Sequence, residues 1–247
     1  MKHDRWNEIL SLIKEEEQIG VHELAEHFNV SLATIRRDLQ EMEDNAMIER
    51  FHGGARVNST NISELPMIVK LNKNTPAKTL VAKYAGRLIK DNQMVYLDSG
   101  STIYHMIDFI YAKNVTVVAA GIPHITKLLN KKINTIVLGG TIKASTNTIT
   151  GSKVLKQLDD YYFDIAFLGT NGIHSQAGFS TTNDDEALVK QKVISRSNIS
   201  YSLADHSKFN VICAYPYAKI GDSHIITDTI GDFPADKIIN CTELGEQ

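Results

Sequence analysis

The feature that most constrains this 247-residue chain is the segment 22–56, HELAEHFNVSLATIRRDLQEMEDNAMIERFHGGAR. Positions three and four apart share one side of an α-helix, so the pattern predicts a helix over 32–44 with one apolar face. That face consists of Leu32, Ile35, Leu39 and Met42. A shorter amphipathic segment precedes this helix and is interrupted at Asn29, a residue type that tolerates the left-handed conformation of a tight turn. A short helical segment, a tight turn and a longer helix, in this order, predict a helix-turn-helix.

The opposite face of the 32–44 helix carries the residues that we expect to enter a DNA major groove. A serine is placed to cap the helix, whose first backbone N–H groups can then meet phosphate. Of two adjacent arginines, one can reach a guanine edge while the other, about 100° around the helix, holds a phosphate. Which of the two arginines reads the base and which holds the phosphate remains open. The cap and the exposed positions are Ser31, Ala33, Thr34, Arg36, Arg37 and Gln40.

A β-hairpin is predicted after the helix, with strands at 47–50 and 55–57 and a turn at Gly53-Gly54. Its basic residues, Arg50, His52 and Arg56, are then expected to line a wing suited to phosphate or minor-groove contact. The alternative is an ordinary small helical domain with a solvated arginine pair. We favour DNA binding because all the elements of a winged helix-turn-helix occur in order and at the right spacing.

The charge of this region is unusual for a DNA-binding module. Residues 1–57 contain seven Lys/Arg and twelve Asp/Glu, a formal charge of −5, whereas a basic footprint is the usual sign of nucleic-acid binding. Four of the seven cations cluster in the predicted recognition helix and wing, and we expect the acidic runs 15–17 and 41–44 to face elsewhere. The pattern predicts modest affinity per module and a requirement for dimers or tetramers.

SLATIRRDLQEME followed by IERFHGGA resembles the signature of the DeoR family of bacterial sugar-metabolism regulators. The resemblance continues through YLDSGST at 96–102, VLGG at 137–140, DIAFLGTNGI at 164–173 and LADHSKF at 203–209. It implies a winged-helix operator-binding domain joined to a sensor domain that resembles sugar-phosphate isomerases. It also implies a repressor that a phosphorylated sugar releases from its operator.

The predicted organisation has three parts. Residues 1–57 form the α+β winged helix-turn-helix domain, and 58–76, polar and punctuated by Pro66 and Pro76, form a hinge. Residues 77–247 form the sugar-phosphate-sensing and oligomerisation domain. There, β-rich runs at 94–97, 115–119, 135–138, 164–168 and 199–204 are mostly separated by helical patterns. This alternation predicts an α/β fold with a largely parallel sheet and helices on both faces.

In such a sheet, ligands bind where strands end and helices begin. The run Asp98, Ser99, Gly100, Ser101 and Thr102 follows one strand, and its hydroxyl and N–H groups can cradle a phosphate. Gly139, Gly140 and Gly169 end two further strands. The open alternative for 98–102 is a polar turn that only caps a helix.

The resemblance adds three residues to this predicted effector site. Lys208 corresponds to a lysine of the family's sensor pocket, Glu186 is implied as a partner for sugar hydroxyls, and Asn171 in GTNG is implied more weakly. Without the resemblance, a lone loop lysine is usually solvated, and an acidic residue at a helix start is favourable whatever the function.

Other classes of protein are disfavoured. Cys213 and Cys241 are too few for a disulfide framework and lack metal-ligand spacing, so we expect no metal and no cofactor. The chain starts directly in an amphipathic pattern, and no apolar run approaches the roughly 20 residues that span a bilayer, so we expect a cytoplasmic protein without a membrane partner.

Three alternative functions stay under consideration. Asp98, Glu186 and Lys208 could in principle supply the acid and base of an aldose–ketose isomerase. The fused DNA reader argues against turnover, because a sensor gains from holding its ligand unchanged. An architectural DNA binder would leave the strand-end loops unused, and an activator of the same class of genes would differ only in sign.

Overall fold

In a computed structural model, the protein is described over residues 2–16, 18–44, 47–57, 65, 67–229 and 237–242. The chain divides into two compact units, 1–73 and 74–247, and each is considered separately. None of the helices among the described residues has the length and apolar character needed to cross a membrane.

The first unit is a winged helix-turn-helix. Its elements are α1 (Lys2–Glu16), β1 (Gln18–Gly20), α2 (Val21–His27), α3 (Leu32–Asp44), β2 (Ile48–Phe51), β3 (Gly54–Val57) and α4 (Met67–Asn72). Asn29 adopts a φ of 49° between α2 and α3, which confirms the predicted left-handed turn. The apolar face of α3 is buried with Trp6 and Ile9 of α1, so α1 completes a three-helix core with α2 and α3.

The wing differs in detail from the sequence prediction. The antiparallel sheet has the order β1-β3-β2, and β1 was not predicted because three residues carry too little pattern. The turn lies at His52-Gly53 rather than Gly53-Gly54. Gly53 has a φ of +100°, which favours glycine. Gly54 begins β3, where a Cβ would lie 2.3 Å from the backbone oxygen of Ile19.

The predicted hinge needs correction over 67–76. Helix α4 occupies its middle, and Val69 of α4 is buried in the same cluster as Trp6. Pro76 lies in the first turn of the next helix, where a proline is tolerated because its missing N–H has no intrahelical acceptor. Residues 58–64 and Pro66, the rest of the predicted hinge, lie outside the described residues.

The second unit is an α/β domain. Its elements are α5 (Thr75–Arg87), β4 (Met94–Leu97), α6 (Ser101–Met106), β5 (Thr116–Ala119), α7 (Ile122–Asn130), β6 (Asn134–Val137), β7 (Thr141–Lys143), β8 (Thr148–Thr150), α8 (Ser152–Gln157), β9 (Ile165–Gly169), β10 (Gly172–His174), β11 (Gly178–Thr181), α9 (Asp184–Ser195), β12 (Ser200–Ala204), β13 (Tyr215–Ala218), β14 (His224–Thr227) and β15 (Ile238–Asn240). The five predicted strands are confirmed as β4, β5, β6, β9 and β12.

The main sheet is parallel, with the strand order β15-β14-β12-β9-β4-β5-β6. Successive residues of β4 are buried in different clusters, Val95 and Leu97 in one and Tyr96 in the other. A strand buried on both faces is expected where helices cover both sides of a parallel sheet. The antiparallel hairpin β7–β8 and the small sheet β10-β11-β13 were not predicted, because their strands are only three or four residues long.

The strand order places one junction at the centre of the sheet. The chain runs outward from β4 through β5 to β6, then returns to the other side of β4 and continues through β9, β12 and β14. The loops after β4 and β9 therefore leave in opposite directions. A crevice at such a switch point is the usual ligand site of an open α/β sheet.

Candidate DNA-binding and effector sites

The recognition helix α3 presents the predicted surface. Ser31 caps the helix, because its hydroxyl oxygen accepts a hydrogen bond from the Thr34 backbone nitrogen at 3.2 Å. Ala33, Arg36 and Arg37 are exposed. Among the described residues, neither guanidinium has an ion-pair partner, so both are available to a phosphate or a base edge.

The wing residues have different surroundings. His52 is exposed, and Arg56 is exposed but paired with Glu49 at 2.5 Å. Arg50 is half-buried and its guanidinium donates to the amide oxygen of Gln40. The three basic wing residues therefore differ in how accessible their side chains are to DNA.

The acidic run at 41–44 does not face away from this surface, contrary to the sequence prediction. The Gln40 side-chain nitrogen donates to Asp44 at 2.9 Å, and Glu43 accepts a hydrogen bond from the Arg50 backbone nitrogen at 3.1 Å. One helical turn separates Gln40 from Asp44, which brings their side chains together. Carboxylates thus belong to the reading surface itself.

In the second unit, the switch point holds a buried ion pair. The Lys190 ammonium donates to Asp98 and, at 2.9 Å, to the carbonyl of Gly169. The Gly169 nitrogen donates to the same Asp98 oxygen at 2.9 Å. Asp98 is 5% exposed and Lys190 is 4% exposed. The ends of β4 and β9 are therefore joined through charges that are removed from water.

Both groups of this pair remain charged. Burial by itself raises the pKa of Asp98, but the ion pair with Lys190 and the hydrogen bond from Gly169 outweigh it and lower that pKa. For Lys190, burial lowers the pKa and the Asp98 charge more than reverses this, so its pKa lies above the ordinary value. Both shifts favour the ionised pair.

Glu186 lies at the centre of a second group of polar contacts. Its carboxylate accepts from Lys143 at 3.0 Å and from the hydroxyls of Thr146 and Thr181 at 3.4 Å. The Thr181 hydroxyl is also 2.9 Å from the side-chain oxygen of Asn171. The structure thus places Asn171 and Glu186, both implied by the resemblance, in one cluster.

The predicted phosphate loop lies beside the ion pair. A Cβ added at Gly100 would be 3.3 Å from the Gly169 Cα, so these two glycines allow the two strand ends to approach closely. The Ser99 hydroxyl accepts a hydrogen bond from Thr148 of the β7–β8 hairpin at 2.7 Å. Ser101 and Thr102 are buried in the first turn of α6.

The other predicted effector residues have different surroundings. Gly139 exchanges hydrogen bonds with the side chain of Gln157 in α8, and a Cβ at Gly140 would collide with the backbone of Thr150. Both glycines thus have local structural contacts, and their place in the effector site stays a prediction. Lys208 lies in the single 3₁₀ turn after β12, on the same edge of the sheet as Gly169, and its charge helps to lower the pKa of Asp205.

The sequence analysis missed Lys190, although a signal was present. Lys190 follows Glu186 by four residues, which places both side chains on the same face of α9. Lys143 and Thr148 had no comparable signal, because the hairpin that carries them contacts the site only through tertiary packing.

His124 is a further residue that sequence reasoning did not connect with the site. It is fully buried, and its Nε2 donates to the Gly100 carbonyl at 2.9 Å. Burial lowers its pKa to about 4, although the Gly100 carbonyl and Asp98 act in the opposite direction. A neutral histidine therefore holds the backbone of the predicted phosphate loop.

A winged helix-turn-helix with an exposed arginine pair, followed by a separate α/β unit, defines a class of DNA-binding regulators. Comparison with known families agrees. Residues 5–61 match the model of the DeoR-like helix-turn-helix domain, and residues 73–229 match that of the DeoR C-terminal sensor domain.

Curated relatives extend over nearly the whole chain. An uncharacterized HTH-type transcriptional regulator named FruR, from Bacillus subtilis (strain 168), is 42% identical over 91% of this chain and 90% of its own length. A lactose phosphotransferase system repressor from Staphylococcus aureus (strain NCTC 8325 / PS 47) is 30% identical over 84% of each. The chain belongs to the DeoR family of transcriptional regulators, which confirms the regulator interpretation over the enzyme alternative.

Among solved structures, ribose 5-phosphate isomerase A from Methanocaldococcus jannaschii is similar to part of the chain. The TM-score is 0.41 at 20% identity, over 56% of this chain and 55% of the isomerase. A likeness at this level carries no information about activity.

Proposed function

We propose that the protein represses a carbohydrate-utilisation operon and is released from its operator by a phosphorylated sugar. The DeoR-like DNA-binding domain supports operator binding, and the S. aureus relative, a lactose phosphotransferase system repressor, supports repression as its sign. The site of action is the cytoplasm, where the operator DNA is. The alternative is that the protein activates the same genes instead of repressing them, and it would use the same two sites.

The observation that supports the effector site is the buried Asp98–Lys190 pair at the switch point between β4 and β9. A buried ion pair contributes little net stability, so its presence at the switch point of the sheet favours a functional role. Glu186 and Asn171 add acceptors suited to sugar hydroxyls, and the loop at Ser99 and Gly100 can receive the phosphate. Lys208 supplies a further cation at this edge.

The proposed mechanism couples two binding events. Copies of the chain associate through the second unit and present two or more winged helices to repeated half-sites. A sugar phosphate that binds the non-operator arrangement more tightly must weaken operator binding by the same free energy. The net negative charge of residues 1–57 explains why several copies are needed for tight binding.

Arg37→Ala tests the reading surface. We expect about a 10- to 100-fold loss of affinity for the operator, the range that a good bidentate base contact supplies. The measurement is fluorescence anisotropy with the duplex that the wild-type protein enriches from a randomised library.

Arg87→Ala, an exposed arginine in the second unit, is the charge-matched control and should bind that duplex like the wild type. Effector-induced thermal stabilisation should persist in both variants. If Arg37→Ala also loses that stabilisation, Arg37 is a structural residue rather than a reader.

Gly100→Val tests the effector loop. In a thermal-shift screen of sugar phosphates, a ligand at a hundredfold excess over its Kd should raise the wild-type Tm by roughly 5–10 °C. The valine side chain would fill the space against Gly169, so the shift and the release from DNA should both disappear while DNA binding persists.

Gly221→Val is the matched control, because a Cβ at Gly221 meets no atom within 4 Å. It should keep the full thermal shift. Release of Gly100→Val from DNA at wild-type ligand concentrations would refute the proposed pocket. Stabilisation by inorganic phosphate alone would support the loop without identifying the sugar.

A further inference from the structure

The side chain of Arg50 points toward the recognition helix rather than out from the wing. Residues of a strand alternate between its two faces, and Arg50 shares a face of β2 with Ile48, which is buried in the core of the first unit. Glu49 lies on the other face, where it pairs with Arg56 directly across the hairpin at 2.5 Å. The two wing arginines therefore have different directions.

Arg50 connects the wing to the exposed face of α3. Its guanidinium donates to the Gln40 side-chain oxygen, and its backbone nitrogen donates to Glu43 at 3.1 Å. The Gln40 side-chain nitrogen donates in turn to Asp44 at 2.9 Å. The Arg50 Nε is buried and has no hydrogen-bond partner among the described residues, so part of this guanidinium is inaccessible to a phosphate.

These contacts determine what Gln40 can do. Reading an adenine requires the amide oxygen and the amide nitrogen of one glutamine to face the base together. In this structure the oxygen accepts from Arg50 and the nitrogen donates to Asp44. These two bonds fix the orientation of the amide, and therefore the direction in which its second lone pair and second N–H point.

We infer that Arg50 is a positioning residue of the DNA-binding site and not a phosphate contact. It holds the Gln40 amide in one orientation and thereby sets the position of the wing against α3. The inference rests on the proposed specific operator binding. It predicts that Arg50 and Gln40 act as one unit.

The salt dependence of binding distinguishes the two roles of Arg50. Each phosphate contact that is lost lowers the slope of log K against log salt by about 0.9. Arg50→Met should therefore lower the affinity for the enriched duplex by about tenfold, as expected for a hydrogen bond to a charged group, while that slope remains unchanged. A slope reduced by one contact would overturn the inference.

A double-mutant cycle provides the second criterion. Gln40→Met should cause a similar loss, and the Arg50→Met/Gln40→Met variant should lose no more than either single variant. The control cycle combines Gln40→Met with Arg56→Met, whose side chain lies on the opposite face of the hairpin, and its losses should add. Additive losses in the Arg50 cycle would mean that the two residues contact DNA independently.

Two measurements keep the test decisive. Arg50→Lys retains the charge but not the planar guanidinium, so it should resemble Arg50→Met in affinity, and it replaces that variant if Arg50→Met fails to fold. Amide hydrogen exchange in β2 and β3 needs no DNA, and it should be faster in Arg50→Met and Gln40→Met to the same extent. Unchanged exchange would refute the positioning role of Arg50. Failure of the wild-type protein to enrich any duplex would instead contradict the proposed function, and the exchange measurement would still test the positioning role.

Discussion

Lys190→Met is expected to destabilise the second unit by about 3–5 kcal/mol at neutral pH, the usual cost of leaving one partner of a buried ion pair uncompensated. Asp98 would keep its hydrogen bond from Gly169 but lose the ammonium that offsets its burial. The measurement is urea-induced unfolding followed by circular dichroism, with the transition of the second unit compared between variants.

The pH dependence of the Lys190→Met variant should be opposite to that of the wild-type pair. In the wild type, the pKa of Asp98 lies below its unfolded value, so the pair stabilises the fold above that unfolded value and loses its effect as the pH falls through the folded pKa. In the variant, burial still raises the pKa of Asp98, and only backbone hydrogen bonds oppose this effect once the Lys190 charge is gone. The stability deficit of the variant relative to the wild type should therefore shrink as the pH falls.

Lys192→Met is the matched control on the same helix. Lys192 pairs with Asp159 at the surface, where the two side chains are 31% and 57% exposed, and such pairs contribute about 0–1 kcal/mol. Asp98→Leu/Lys190→Met removes both charges and should recover much of the stability that Lys190→Met loses. Equal losses of unfolding free energy in Lys190→Met and Lys192→Met would contradict the expected cost of an uncompensated buried charge.

His124→Gln is expected to remove a large part of the acid sensitivity of the second unit. In the folded protein the pKa of His124 is about 4, below the ordinary value of 6.5. The unfolded chain therefore binds the proton more readily between these values, and stability falls as the pH drops through this window. A shift of this size corresponds to roughly 3 kcal/mol.

The comparison is between the unfolding free energies of the wild type and His124→Gln from neutral pH to about pH 4, where only the wild type should show this loss. Glutamine retains a side-chain N–H that can donate to the Gly100 carbonyl. His22→Gln, on an exposed position of the first unit, is the control and should follow the wild type. Parallel pH profiles for all three proteins would contradict the assignment.

Local sequence patterns predicted the elements and the edge of the sheet that carries the candidate effector site. The apolar periodicity of α3 and the Ser31 cap are set by neighbouring residues, and both appear in the structure as expected. Likewise, Asp98 and Gly169 could be placed at strand ends because each follows an apolar β-rich run.

What could not be predicted depends on residues that are distant in sequence. Gly139 was assigned to the site by its position after a strand, yet its partner is Gln157 in α8. Helix α4 was not predicted because its six residues are too few to show a periodic pattern, and the helix is stabilised by packing against the core of the first unit. Helical spacing from Glu186 could have predicted the face of α9 on which Lys190 lies, but its role follows only from the contact with Asp98, which is distant in sequence.

The switch point also has a consequence for the order in which the protein can assemble. Asp98 and its partner Lys190 are 92 positions apart, and the strands that carry the site pair only after the chain has crossed the sheet and returned. Contacts of such high contact order form slowly, because the entropy of closing a long loop opposes them. The winged unit, by contrast, is complete by residue 73. A newly synthesised chain can therefore acquire its DNA-reading surface before its effector pocket exists.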